Sequence, residues 1–75
     1  MIDTFKFFAI CVLTNAGKPL HYKEITCSAI MGGLETNSKS PEKIMYSIIT
    51  NDIKKLGLNS SFIKISKGVF GLNSK

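Results

Sequence analysis

Apolar residues recur along the start of the chain at the three- and four-residue spacing of a helix. Phe5, Phe8, Ala9, Val12, Leu13 and Ala16 fall on one side, which predicts a helix over residues 3–16. Asp3 stands at its N-cap position, Gly17 where a left-handed C-cap residue belongs, and Pro19 just beyond. Leu20-His21 reads as a short extended piece. A second helix follows from about Tyr22 to Met31, with Tyr22, Ile25, Thr26, Ala29 and Ile30 inward and Gly32-Gly33 as its stop. Residues 34–40 are polar apart from Leu34 and predict a loop. Ser40-Pro41-Glu42 then opens a third helix, with serine as cap, proline at the first helical position and glutamate at the positive helix end. Met45, Ile48, Ile49, Ile53 and Leu56 form its apolar stripe, and Gly57 ends it.

Beyond residue 60 the period changes from helical to alternating. Residues 62–65 and 69–72 predict two short strands, joined by Ser66-Lys67-Gly68, a loop with the glycine that a tight hairpin needs. Helix, short strand, helix, helix, strand, strand is the order of a winged helix-turn-helix. The expected fold is therefore mainly α with a small β-hairpin: three helices and a wing sheet of two or three strands.

Composition narrows the function. Seventy-five residues allow one small domain, residues 1–75, and leave no room for a barrel enzyme or a separate substrate domain. At 44% hydrophobic and 20% charged residues, the chain folds rather than remaining a disordered tail. No apolar run approaches the roughly 18 residues of a membrane helix. Lys6 interrupts the first apolar stretch and the start lacks a basic region, so neither a membrane anchor nor a signal peptide is expected. The formal charge is +5, and all ten cations are lysine. Residues 41–75 hold six of them against only Glu42 and Asp52. A basic excess at one end points to a polyanion, although solubility alone would also account for it. Cys11 and Cys27 lie in helical patterns without a C-x-x-C, and His21 is the single histidine. These residues cannot supply a usual tetrahedral zinc set, and no metal or other cofactor is expected. Reduced thiols in a cytoplasmic setting, or a nuclear one in a eukaryote, follow as the default.

Three ordered blocks carry a resemblance that covers most of the chain. Ala16-Gly-Lys-Pro-Leu-His-Tyr-Lys-Glu-Ile-Thr26 resembles the G-x-P-L-H-Y-x-E-I segment of HARE-type helix-turn-helix domains. Ser40-Pro-Glu with Thr50-Asn-Asp-Ile-Lys54 resembles their third helix, and Lys67-Gly-Val-Phe-Gly-Leu72 their wing strand. Such domains occur in the delta subunit of bacterial RNA polymerase, in additional-sex-combs-like chromatin proteins and fused to restriction endonucleases. The resemblance implies a winged helix that binds DNA or docks to a DNA-bound machine, and some members have been proposed to sense modified bases. Thr50 and Val69 depart from the family pattern, as do Phe7 and Cys11 on the first helix, where polar residues are usual. The absence of arginine argues against bidentate guanine reading, because lysine lacks the planar fork. A lysine-, asparagine- and isoleucine-rich composition is also what an A·T-rich genome produces.

No constellation for catalysis is visible: there is no Gly-rich phosphate loop, no carboxylate pair at metal spacing and no Ser/His/Asp set. Glu24 and His21 read as capping and packing groups at the start of the second helix. Asp52, beside the apolar stripe, reads as a hydrogen-bonded structural carboxylate, since an unpaired buried charge is costly. The expected chain is not an enzyme. Its binding face is the polar side of the third helix, with Lys43, Ser47, Thr50, Asn51 and Lys54, joined by Lys64 and Lys67 of the wing. These types reach phosphates and base edges, so double-stranded DNA is the expected partner. The domain is expected to serve a larger restriction/modification or transcription system, with a fused or associated nuclease or polymerase. The alternative is a protein-docking winged helix with little DNA affinity, and a dimeric regulator is a third reading. Phe7 and Cys11, one turn apart and away from the Phe5/Ala9/Val12/Ala16 side, mark a candidate partner contact, such as a homodimer through the first helix.

Overall fold

The computed structural model describes residues 4–73. Its elements are α1 (Thr4–Ala16), β1 (Leu20–His21), α2 (Tyr22–Met31), α3 (Pro41–Leu56), a 3-10 turn (Gly57–Asn59), β2 (Phe62–Ser66) and β3 (Val69–Leu72). Three helices pack beside an antiparallel sheet of order β1-β3-β2, the winged helix-turn-helix that the pattern predicts. The short extended piece of the sequence is thus the third strand of the wing, pairing Leu20 with Phe70 and His21 with Val69. Asp3, the expected cap of α1, lies outside the described residues.

The core is drawn from every layer. Ala9 and Leu13 of α1, Ile25 and Ala29 of α2, Met45 and Ile49 of α3, and Phe62 and Phe70 of the sheet are all buried. Phe5, Phe8, Val12, Leu20 and Ile53 pack around them. Two residues assigned to the inner stripes are more open than expected: Ile30 and Leu56 are about two-fifths exposed. Ala16 is also exposed. Each sits in the last turn of its helix, where the neighbouring elements have already diverged.

The helix ends follow the backbone's need for partners, and two differ from expectation. α2 closes in a Schellman motif: Leu34 N–H donates to Ala29 O (2.9 Å) and Gly33 N–H to Ile30 O (3.1 Å). This motif carries Leu34, the lone apolar residue of the loop, into the core beside Ala29. At the start of α2 the cap is His21, whose Nδ1 accepts from Lys23 N–H at 3.2 Å; Glu24, the expected capping group, is exposed. Ser40 holds the N-cap position of α3, but its side chain makes no capping hydrogen bond. Its carbonyl accepts from Lys43 N–H instead (3.1 Å), and Pro41 removes one of the donors that a side chain would have served.

The wing hairpin turns through Lys67-Gly68, with a register irregularity between Lys64 and Ser66. Gly68 has φ +76°, and a Cβ there would lie 2.8 Å from His21 Nε2. That imidazole has little freedom to move: it stacks on Tyr22 at 4.5 Å and caps α2 through its other nitrogen. Gly68 O accepts from Tyr22 N–H at 2.8 Å, so the turn is tied to the start of α2. Gly68→Ala should therefore cost about 2 kcal/mol or more, the left-handed penalty plus displacement of the ring. Chemical denaturation should show the loss, and hydrogen exchange should localise it to β3.

Candidate nucleic-acid interface

Rotation of α3 is set by what it buries. Met45 and Ile49 are enclosed, Ile48 and Ile53 half-enclosed, and Asp52 is held in an ion pair on the same flank. The helical period then places Lys43, Ser47, Asn51 and Lys54 together on the opposite, exposed face. Thr50 is half-buried at its margin. Its hydroxyl donates to Tyr46 O (2.8 Å) and lies 3.2 Å from Ser47 O, so the methyl is the group left for an incoming ligand.

Asp52 anchors this helix to both of its neighbours. Lys6 Nζ of α1 donates to Asp52 Oδ1 at 2.9 Å, and Ser60 Oγ donates to Oδ2 at 2.5 Å. Ser60 Oγ in turn accepts from Phe62 N–H at 3.1 Å, which fixes the first residue of β2. Burial alone would push the Asp52 carboxyl up. The Ser60 hydroxyl, the Lys6 ammonium and the Ser61 backbone more than offset it and hold the carboxyl below the usual aspartate value. The structural role read from the apolar stripe is the one observed. Its two side-chain partners, 46 and 8 residues away, carry no local signal in the sequence.

The wing meets α3 through aromatic rings. Tyr46 stands edge-on to Tyr22 at 5.0 Å and to Phe70 at 5.8 Å, and Tyr22 continues to His21. Lys64 is the register partner of Phe70 and so lies on the sheet face that turns toward Tyr46. Lys67 occupies the hairpin turn, beside the start of α2. α3, β2 and the turn thus each contribute to one basic side. From Ile53 to Asn73 the chain carries Lys54, Lys55, Lys64 and Lys67 and no carboxylate. Tyr46 is not marked by the sequence pattern, because it falls between the apolar stripe and the polar face. Only its Tyr22 and Phe70 contacts show that it joins helix to wing. The connection between α2 and α3, residues 32–40, is longer than the 3–4-residue turn of a compact helix-turn-helix. It is organised by Thr36 Oγ1 accepting from Ser38 N–H and Ser38 Oγ from Ser40 N–H, each at 3.2 Å.

Phe7 and Cys11 lie apart from this side. Phe7 is 56% exposed and edge-on to Phe8. Cys11 is half-buried and lines a groove of about 540 Å³ with Phe8, Val12, Leu20 and Ser28. It therefore turns toward α2 rather than to the far side of α1 as the wheel suggested, because α2 packs along that flank. Cys11 and Cys27 are free thiols. Among the described residues no group of three or more His, Cys, Asp or Glu side chains could hold a metal ion, and no helix is long and apolar enough to cross a membrane.

No curated protein and no solved structure matches the chain. A family model matches residues 3–74, nearly its whole length, and its description is that of a helix-turn-helix domain found in ASXL proteins and restriction endonucleases. With the helices, sheet order and polar third-helix face in place, the chain belongs to the HARE-HTH family.

Proposed function

We propose that this helix-turn-helix module binds double-stranded DNA, with α3 in the major groove and the wing lysines on the backbone. The observation that carries the reading is the exposed row Lys43, Ser47, Asn51 and Lys54 on α3, opposite a buried stripe and flanked by Lys64 and Lys67. Asn51 would pair with adenine N6 and N7, and the Thr50 methyl would meet a thymine methyl. Lysines at the edges would set register without choosing sequence. In this reading the module serves a larger restriction/modification or transcription machine and performs no chemistry of its own. The outer side of α1, with Phe7 and Cys11, is its contact to a second copy or a neighbouring domain.

The test is fluorescence anisotropy of a labelled duplex across a salt series. With about four phosphates contacted, log K should fall with log salt at a slope of roughly −3 to −4. Asn51→Ala should cost about 1–3 kcal/mol on a selected site and little on other duplexes. Lys54→Ala and Lys67→Ala should weaken all duplexes alike and reduce the slope by about one each. A flat salt response, or no binding at low salt, would overturn the reading in favour of protein docking.

A further inference from the structure

β2 is an edge strand. It pairs with β3 on one side only, and Ile63, Lys64, Ile65 and Ser66 are all exposed. The ladder shows which backbone groups are left outward. Asn73 N–H donates to Ser61 O at 2.9 Å, so residues 61 and 73 form a hydrogen-bonded pair. Alternation along an antiparallel ladder makes Ile63 and Gly71 the next such pair, and Phe62 and Lys64 the residues whose N–H and C=O point away from β3. Phe62 N–H is already taken by Ser60 Oγ. The open edge therefore centres on Lys64, with one donor and one acceptor. Ile63 and Ile65, 44% and 53% exposed, stand on either side of it. Ile65 also lines a groove of about 450 Å³ with Leu13, Pro19, Gly71 and Leu72.

We infer that this edge is a docking strand for an extended peptide segment in which apolar and acidic residues alternate. Main-chain pairing with Lys64 would supply affinity. The apolar side chains would cover Ile63 and Ile65, and the acidic one would lie beside the Lys64 ammonium. Charge decides among the occupants. A second copy pairing antiparallel through β2 would set Lys64 against Lys64, between two chains of formal charge +5, and like charges directly opposite are destabilising. A DNA phosphate accepts hydrogen bonds but donates none, so it would leave Lys64 C=O unpaired and both isoleucines uncovered. An acidic strand satisfies all three. It would also occupy the Lys64 side chain, and so compete with a duplex for it.

The experiment titrates the isotope-labelled 75-residue chain with an end-blocked heptapeptide of alternating valine and glutamate, followed by NMR. The amides of residues 62–66 should shift, and the Lys64 amide should gain protection from exchange. Methylating the backbone nitrogen of the central glutamate should weaken binding about tenfold or more. Replacing the glutamates by lysine should abolish it, and Lys64→Glu should reverse the preference between the two peptides. Equal binding of the N-methyl peptide would overturn strand pairing without recourse to any protein variant. Shifts confined to Lys43, Ser47 and Asn51 would overturn the proposal by showing an acidic peptide imitating DNA on α3. No binding at millimolar peptide, or a short duplex displacing the peptide while shifting the same β2 amides more strongly, would overturn it as well.

Discussion

Phe70→Ala should bring this domain close to the point of unfolding at room temperature. Phe70 is fully buried, pairs across the sheet with both Leu20 and Lys64, and touches Tyr46 of α3. Truncating a core phenylalanine costs about 3–5 kcal/mol, and the lost edge-to-face contact falls within that range. A chain of this length has roughly 4–11 kcal/mol in total, because small domains bury proportionately little surface. Thermal unfolding followed by circular dichroism should show the midpoint falling by roughly 20 °C or more. Leu58→Ala is the matched control. Leu58 is 90% exposed, and its truncation should change stability by no more than about 0.5 kcal/mol. A Phe70→Ala midpoint within a few degrees of the parent would mean that the wing is not part of the core.

Asp52→Ala should be the most damaging change among the polar residues, at about 3 kcal/mol. It removes two charge-assisted hydrogen bonds and strands the Ser60 hydroxyl, which is fully buried. Three elements lose a common tie: α1 through Lys6, α3 itself, and β2 through Ser60 and Phe62. The same group makes stability depend on acid. Its carboxyl is held below the usual aspartate value in the folded chain, so the unfolded chain binds the proton more readily. The stabilisation is then complete above the unfolded aspartate value, about pH 4, and is lost as pH falls through the lower folded value. Urea denaturation at a series of pH values should show the parent weakening below about pH 4. Asp52→Asn should start weaker and lose less over that interval. Parallel curves for the two proteins would show that another carboxylate carries the acid response.

Recognition by α3 depends on this scaffold, because the helix has no separate support for its outer face. Lys43, Ser47, Asn51 and Lys54 are aligned by the burial of Met45 and Ile49 and by the Asp52 tie. Loss of Asp52 should therefore weaken duplex binding through helix position as well as through stability. The wing lysines depend on Phe70 and Gly68 in the same way.

Local pattern was sufficient for the elements themselves. The 3.6-residue period of Ala9 and Leu13, Ile25 and Ala29, and Met45 and Ile49 placed three helices within a residue of their observed bounds. Gly17 and Gly57 marked two stops, and both have positive φ. The alternation around Phe62 and Phe70 located the wing, and the polar face of α3 followed from its buried stripe. These features are local: a period, a cap or a turn involves residues close in the chain, and the physics that selects them is written at that range. Tertiary structure decided the rest. Leu20-His21 became a strand only because β3 offered it an edge, and His21 became a cap because the hairpin turn closed over it. Lys6, Ser60 and Tyr46 took their roles from partners brought close by the packing of α1, α3 and the wing. The free edge at Lys64 is likewise a property of strand order, since whether a strand's outer groups are paired depends on what lies beside it in space.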